Sequence, residues 1–293
     1  MKSAYQNWVG AFRAFATPVI CVIGILGNIF AISTFAELKP KTRFSYYAIA
    51  LSISNITILV FNGLLDDFSG RGLEYLTEGH FSFRLETLSN SWCKFMEYVP
   101  NVMYFISSYL LVAFSIDRLV VVCNAIKYSS IYGKKTAFII CIMIYTVGFL
   151  SNIPVTELFK DAADPFEGMR YVCIMDADEH KRLYAFYLII MNLVTFVVPF
   201  IIVLLINFVI GIKLCQHNKN RRMLQHTTKP GSAKMQQEAE NGRIFSHLAL
   251  SSSILLLHLP LVCSVMHRSV FFTTCHGARI YSYLKLKLAN SHR

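Results

Sequence analysis

The sequence predicts an all-α membrane protein, a seven-transmembrane helix bundle whose seventh helix is incomplete. The chain is 55% hydrophobic and 15% charged, with a mean hydropathy of +0.48, which is more apolar than a soluble domain. Its apolar residues form runs of the roughly 20 residues that a helix needs to cross a bilayer. Its basic residues lie between these runs, so the formal net charge of +11 predicts orientation in a lipid bilayer and no binding to nucleic acid.

Six runs reach the length of a membrane span, and a seventh begins without reaching it. The six lie near residues 16–36, 46–65, 97–123, 137–156, 184–214 and 244–266. Residues 278–293 start like another span and are too short to cross, which predicts a partial seventh helix. Because the chain shows no internal repeat and no second folded region, we expect a single domain over residues 1–293.

The charges of the loops predict an extracellular N-terminus at residues 1–15. The loops after the first, third and fifth spans are net positive, and the last of these is the basic third cytoplasmic loop at residues 216–242. The loops after the second and fourth spans are net negative. Positively charged loops face the cytoplasm, so we expect a multi-pass protein of the plasma membrane.

The cysteines permit one structural disulfide and no metal site. Four lie within apolar runs and are predicted to be buried thiols, namely Cys21, Cys123, Cys141 and Cys263. Cys93, Cys173 and Cys275 lie in loop-like sequence and can form a disulfide if those loops face an oxidising compartment. No two cysteines have the spacing of a zinc or redox motif, and we expect no cofactor.

Five polar residues of the third span recur at helical spacing, and they are Glu97, Asn101, Tyr104, Ser108 and Ser115. This spacing places them on one helix face, which should look into the bundle because polar groups are costly in lipid. Two interpretations stay open. The face either makes only interhelical hydrogen bonds, or its outer part lines a pocket.

Asp117-Arg118, at the end of the third span, by itself indicates an interfacial ion pair that anchors a helix end. The other motifs of the chain favour a second interpretation of this Asp-Arg pair. No single motif is decisive, but several motifs together have a characteristic order and spacing. They are Gly27-Asn28, Leu51-Ser52-Ile53-Ser54-Asn55, Cys93, Asp117-Arg118-Leu119, Cys173, Pro199, Glu240 and His258-Leu259-Pro260. With these motifs the chain resembles the rhodopsin-like (class A) G-protein-coupled receptors, in particular the invertebrate neuropeptide receptors.

This resemblance implies a role for each motif. It implies a disulfide between Cys93 and Cys173. It also implies that Arg118 pairs with Asp117 and Glu240 in the closed state, so that these three are the switch residues for a heterotrimeric G protein. Helix packing and activation are expected of Asn28, Asn55, Pro199 and Pro260, the last as the pivot of a moving sixth helix.

The chain also departs from the family pattern. Asn55 stands where the family has an aspartate that helps to hold sodium, which disfavours a sodium site and leaves open whether one survives. Span four lacks the family's tryptophan, with Ile144 or Tyr145 near its place, and His258 replaces another tryptophan. The chain ends at Arg293, before an Asn-Pro-x-x-Tyr motif.

The resemblance also narrows the ligand class. Pro100 stands where aminergic receptors have an aspartate, and Leu288 stands where light sensors have the retinal-bound lysine. Two acidic extracellular loops favour a basic neuropeptide. The expected ligand pocket comprises Glu97, Asn101, Tyr104, Met191, Thr195 and His258. His258 is weighed evenly between a ligand-sensing residue and a histidine of the core.

Two other classes stay open. One is a truncated, non-signalling receptor that acts by pairing with a full-length partner, which the short seventh span favours. The other is a transporter or channel, which would predict several charged residues in midspan. An enzyme is not expected, because the sequence has no His-Glu-x-x-His, no Gly-x-Ser-x-Gly and no clustered carboxylates within the membrane, and no residue is assigned to catalysis.

Overall fold

The computed structural model describes residues 4–38, 42–123, 134–163, 171–175, 187 and 189–225. These fall into two compact units, Met1–Tyr184 and Ala185–Arg293. Five helices in the described part are long and apolar enough to cross a membrane. The predicted sixth span and the partial seventh lie outside the described residues.

The first helix, α1, covers residues 4–37. It consists of an α-helix Ala4–Ala11, a π-helical turn Phe12–Ala16 and a long α-helix Thr17–Glu37. It therefore starts about three turns before the apolar run that predicted it. Much of its surface consists of exposed apolar side chains, among them Phe15, Ile23 and Phe30, which suits contact with lipid.

The second helix, α2, covers residues 43–76 and is also longer than its apolar run. It consists of an α-helix Arg43–Ile58, a π-helical segment Leu59–Gly72 and a last turn Leu73–Leu76. A capping box starts it: the Thr42 side chain accepts a hydrogen bond from Ser45 N, and the Ser45 side chain accepts one from Thr42 N. Because α2 continues past residue 65, several charged residues expected in a loop lie on a helix.

Small residues let α1 and α2 approach closely. A Cβ atom placed on Gly72 would lie 2.8 Å from the carbonyl oxygen of Arg13, and one placed on Gly24 would lie 2.7 Å from Leu59 Cδ1. Membrane helices pack through small residues because the hydrophobic effect does not hold helices together in lipid. The two π-helical segments of α1 and α2 contact each other along this seam.

The third helix, α3, spans Asn90–Cys123 and is the most enclosed of the candidate membrane spans in the described part. It packs against α2 and against the fourth helix, α4, which spans Lys134–Ser151. The buried core lies between these three helices and consists of Tyr47, Val102, Met103, Ile106, Leu110, Ala137 and Cys141. The free thiols Cys21 and Cys141 are buried as predicted.

A short antiparallel hairpin follows α4. Strand β1, Phe159–Ala163, pairs with β2, Tyr171–Met175, in a register that sets Asp161 opposite Cys173. These strands were not predicted from the sequence. β1 contacts α3, which places the hairpin at the end of the bundle where α3 begins.

The fifth helix, α5, belongs to the second unit. It is helical from residue 189, passes through a π-helical turn Leu193–Val197 and continues as the α-helix Val198–Gln225. Its candidate span, Ile189–Lys213, falls within the predicted run at residues 184–214.

Candidate ligand pocket and switch residues

A cavity of about 500 Å³ opens at the end of the bundle where α3 begins. Its walls come from α2, α3, the segment between them and the hairpin. From α3 it is lined by Met96, Glu97, Pro100, Asn101 and Tyr104, and from α2 by Asn62, Asp66 and Arg71. This volume lies within the range of pockets that bind small ligands.

Three of the predicted pocket residues line this cavity together. Glu97, Asn101 and Tyr104 occupy successive turns of α3, and Asn101 Nδ2 donates a hydrogen bond to the Glu97 carbonyl at 2.8 Å. Ser115 lies deeper on the same helix and is buried. The outer part of the predicted polar face is therefore a pocket wall, and its inner part belongs to the packed interior.

A disulfide holds the hairpin over this cavity. Cys93, near the start of α3, is bonded to Cys173 of β2, with the two Cα atoms 5.4 Å apart. Cys93 is fully buried, and Cys173 lines the cavity. The bond that the family resemblance implied is present, and it fixes one side of the pocket to the central helix.

The arginine side chains at this end already face carboxylates. Arg71 lies 3.1 Å from Asp66 and 3.6 Å from Asp67, and Asp67 in turn lies 3.2 Å from Arg13 of α1. This alternating chain of four charges extends from α1 to the cavity. The sequence did not predict this chain of charges, because its hydropathy places Asp66 and Asp67 in a loop.

The remaining charges of the cavity are less balanced. Arg84 forms an ion pair with Glu74 and also donates to the Gly70 carbonyl at 3.4 Å. Glu86 and Glu97 both line the cavity. Within the described part of the chain, neither of these two carboxylates belongs to an ion pair. The cavity therefore offers acceptors for a cationic group.

Polar side chains connect three helices in the interior. Asn28 of α1 donates to the Gly24 carbonyl at 2.8 Å, Asn55 of α2 donates to Asn28 Oδ1 at 3.4 Å, and Ser107 of α3 donates to Asn55 Oδ1 at 3.1 Å. Interhelical hydrogen bonds of this kind hold membrane helices in register. Ser107 was not among the predicted residues, because it lies next to Ser108 and outside the helical spacing that defined the predicted face.

Tyr145 of α4 makes a second interhelical contact. Its hydroxyl donates to the Ala50 carbonyl of α2 at 2.9 Å and lies 2.9 Å from Ser54 Oγ. Ser54 is fully buried and also bonds to the Ala50 carbonyl. Tyr145 lies near the place of the missing tryptophan, and the structure shows it joining α4 to α2.

At the other end of α3, Asp117 and Arg118 have separate partners. Arg43 Nη1 of α2 lies 3.6 Å from Asp117 Oδ1, and Asp117 is only 6% exposed. The Arg118 guanidinium carbon lies 4.9 Å from the ring centre of Phe44 and 5.0 Å from that of Phe114. The described part shows no Asp117–Arg118 ion pair, which differs from the closed-state expectation. The expected partner Glu240 lies outside the described residues.

The other predicted site residues lie in the second unit or outside the described residues. Met191, Thr195 and Pro199 lie on α5 in the second unit, and Thr195 is buried in the π-helical turn. His258 and Pro260 lie outside the described residues. Their roles stay predictions.

Comparisons with known proteins agree on one class. The model of the family described as 7 transmembrane receptor (rhodopsin family) matches residues 27–287. The human neuropeptide S receptor is 24% identical over 214 residues, which is 71% of this chain and 52% of that protein. The B1 bradykinin receptor of Macaca fascicularis is 26% identical over 70% of this chain and 56% of its own.

A Gq-coupled rhodopsin of Mizuhopecten yessoensis is 22% identical over 84% of this chain and 46% of its own. The chain thus spans about half the length of the curated relatives it matches. These relatives are receptors and not enzymes.

Proposed function

This chain belongs to the rhodopsin family of seven-transmembrane receptors, and we propose that it is a cell-surface receptor for an extracellular peptide with a basic side chain. In this proposal the N-terminus is extracellular, and the pocket end of the bundle faces outward. The negative balance of the predicted outer loops and the positive balance of the inner ones support this orientation.

The observation that carries the proposal is the charge of the cavity. Arg71 and Arg84 already have carboxylate partners, whereas Glu86 and Glu97 belong to no ion pair in the described part. A partly enclosed carboxylate without a cation favours binding of a positive group. A guanidinium suits this role, because its planar donors can bond to a carboxylate in two places at once.

The relatives support a peptide as the bearer of that group. Two of the three relatives described above are named as receptors for peptides, neuropeptide S and bradykinin. A cavity of about 500 Å³ would hold one or two side chains of a peptide, with the remainder lying outside. Met191, Thr195 and His258 complete the pocket in this proposal, as the sequence predicted.

The proposed output is activation of a heterotrimeric G protein. Ligand binding shifts the receptor toward a state in which the sixth helix has moved about Pro260, through the ligand's higher affinity for that state. Arg118 then faces the G protein, released from Glu240. Arg118→Ala is therefore expected to abolish G-protein activation while surface expression persists.

The test uses the full chain in cells with a panel of amidated peptides that end in arginine-phenylalanine. Losing a buried charge partner costs about 2 kcal/mol or more, or about thirtyfold in potency. We expect Glu97→Gln to weaken an active peptide by this factor. Glu78→Gln, which changes an exposed carboxylate outside the cavity lining, is the control and should keep the potency of the native receptor.

Replacing the peptide's arginine by citrulline shows whether Glu97 binds that side chain. The neutral peptide should lose as much potency on the native receptor as Glu97→Gln does, and little more on the variant. The cationic site is refuted if the two losses add, or if Glu78→Gln matches Glu97→Gln.

A further inference from the structure

We propose that Arg43 is a positioning residue for the switch: by binding Asp117, it leaves Arg118 weakly held and available to the cytoplasmic partner. This inference rests on the proposed coupling through Arg118. Arg43 and Phe44, the first two residues of α2, together form what we call the α2 clasp. Arg43 contacts the carboxylate of the switch, and Phe44 contacts its guanidinium.

The geometry separates two side chains that are adjacent in the chain. Asp117 faces Arg43 at 3.6 Å, and the two side chains are 8% and 21% exposed. Arg118 instead lies over two rings, Phe44 at 4.9 Å and Phe114 at 5.0 Å, which are themselves packed 5.3 Å apart. Arg118 Nε is buried and makes no hydrogen bond within the described part.

Helix stability does not explain an arginine at this position. A cation in the first turn of a helix is opposed by the helix dipole, and Arg43 opens α2. The capping box of Thr42 and Ser45 starts the helix without help from the arginine. It also fixes the backbone on both sides of the α2 clasp, so that the two side chains point to neighbouring groups of α3. Arg43 is therefore unfavourable for the helix itself, and its contact with Asp117 of α3 offsets this local disadvantage.

The relative strengths of the two contacts give the clasp its effect. A cation over an aromatic ring is held by a modest attraction to the ring face. A buried carboxylate that loses its cation is strongly destabilised, which favours its pairing with another cation nearby. If Arg43 lost its charge, the Asp117 carboxylate would lose this cation, and Arg118 is the adjacent cationic residue. Arg118 would then exchange a weak contact for a strong one and would be harder to release.

The experiment measures affinity for a purified, nucleotide-free heterotrimeric G protein, with the full chain in lipid nanodiscs. No ligand is needed. We expect Arg43→Gln to weaken binding about tenfold, which is within the usual range of coupling between sites. Arg43→Lys keeps the charge and should bind within about threefold of the native receptor. Lys135→Gln removes an exposed charge at the start of α4 and should have no effect.

The second arm adds Asp117→Asn to Arg43→Gln. Without the carboxylate there is nothing to capture Arg118, so the double variant should bind as tightly as Asp117→Asn alone. The double variant also carries no lone buried charge, so it is expected to fold even if Arg43→Gln does not. The inference is overturned if a folded Arg43→Gln binds like the native receptor, or if the double variant binds about tenfold more weakly than Asp117→Asn.

A third arm separates this inference from the proposed function. Melting temperatures of the native receptor, Arg43→Gln, Asp117→Asn and the double variant form a double-mutant cycle. This cycle reports the Arg43–Asp117 contact without any G protein. If Arg118→Ala leaves G-protein affinity unchanged, the proposed coupling fails and the role of the clasp fails with it. If Arg118→Ala abolishes binding and Arg43→Gln leaves it unchanged, only the clasp is refuted.

Discussion

Gly148 of α4 packs against α3, and replacing it by alanine tests the packing of these two helices. A Cβ atom at this position would lie 2.7 Å from Ile106 Cγ1, and 3.3 Å from Phe105 Cδ1. Ordinary carbon contacts are about 3.5–4.0 Å. Ile106 is fully buried in the core cluster, so it cannot move away by the required distance without disturbing its neighbours.

The expected cost follows from comparison with a glycine in open surroundings. No atom of the described residues lies within 4 Å of a Cβ placed on Gly27 of α1. Both alanine variants gain the same helix propensity, about 1 kcal/mol, and only Gly148→Ala overpacks a core, at about 1–3 kcal/mol. The difference between the two variants is therefore the overpacking cost alone. At about 2–4 °C for each kcal/mol, Gly148→Ala should melt at least 2 °C below Gly27→Ala.

A thiol-reactive dye can follow this unfolding in purified receptor, because Cys141 is a free, buried thiol of the same core. In an Ile106→Ala background the added methyl group has room, and Gly148→Ala should lose its penalty. The packing argument fails if Gly148→Ala melts at or above Gly27→Ala. It also fails if the penalty survives in the Ile106→Ala background.

Two further predictions concern contacts that join separate elements. Cys93→Ser and Cys173→Ser should impair surface expression equally, since each breaks the same bond; flow cytometry of a tagged receptor checks this, and a severalfold difference would contradict it. Tyr145→Phe should lower stability by about 1 kcal/mol, because its hydroxyl bonds inside the bundle to α2. Tyr98→Phe removes a hydroxyl that bonds in an exposed position and should cost less in the same melting assay; a cost equal to that of Tyr145→Phe would refute the argument.

The sequence predicted the helices well where hydropathy alone determines them. The candidate spans of α4 and α5 fall close to the predicted runs. The prediction ended α2 too early because hydropathy judges each residue by itself. Asp66 and Asp67 reduce the local hydropathy, yet their charges are paired with Arg71 and Arg13, so the helix continues through them. Pairs between distant segments leave no signal in a local window.

The residues that line the cavity were predicted only in part. Helical spacing placed Glu97, Asn101 and Tyr104 on one face, because α3 stays α-helical through this stretch, with Pro100 inside it. The α2 wall was missed, since Asn62 and Asp66 lie in a π-helical segment whose hydrogen bonds run from residue i to i+5. A pattern sought at 3.6 residues per turn does not assign the faces of such a segment.

The positions of the charges bear on the choice between a receptor and a transporter. A transport pathway would need charged groups along the middle of the spans. In the described first unit, a group of charged residues of α1 and α2 lies at the pocket end. These residues form ion pairs with one another, and they are Arg13, Asp66, Asp67 and Arg71.

Deeper in the described first unit the groups that connect the helices are neutral, namely Asn28, Asn55 and Ser107, and at the other end of α3 Arg43 lies next to Asp117. In the described first unit, charged pairs therefore lie at the two ends and neutral hydrogen bonds lie between them. The described residues of this unit show no row of ion pairs along its middle, where a transport pathway would need charged groups.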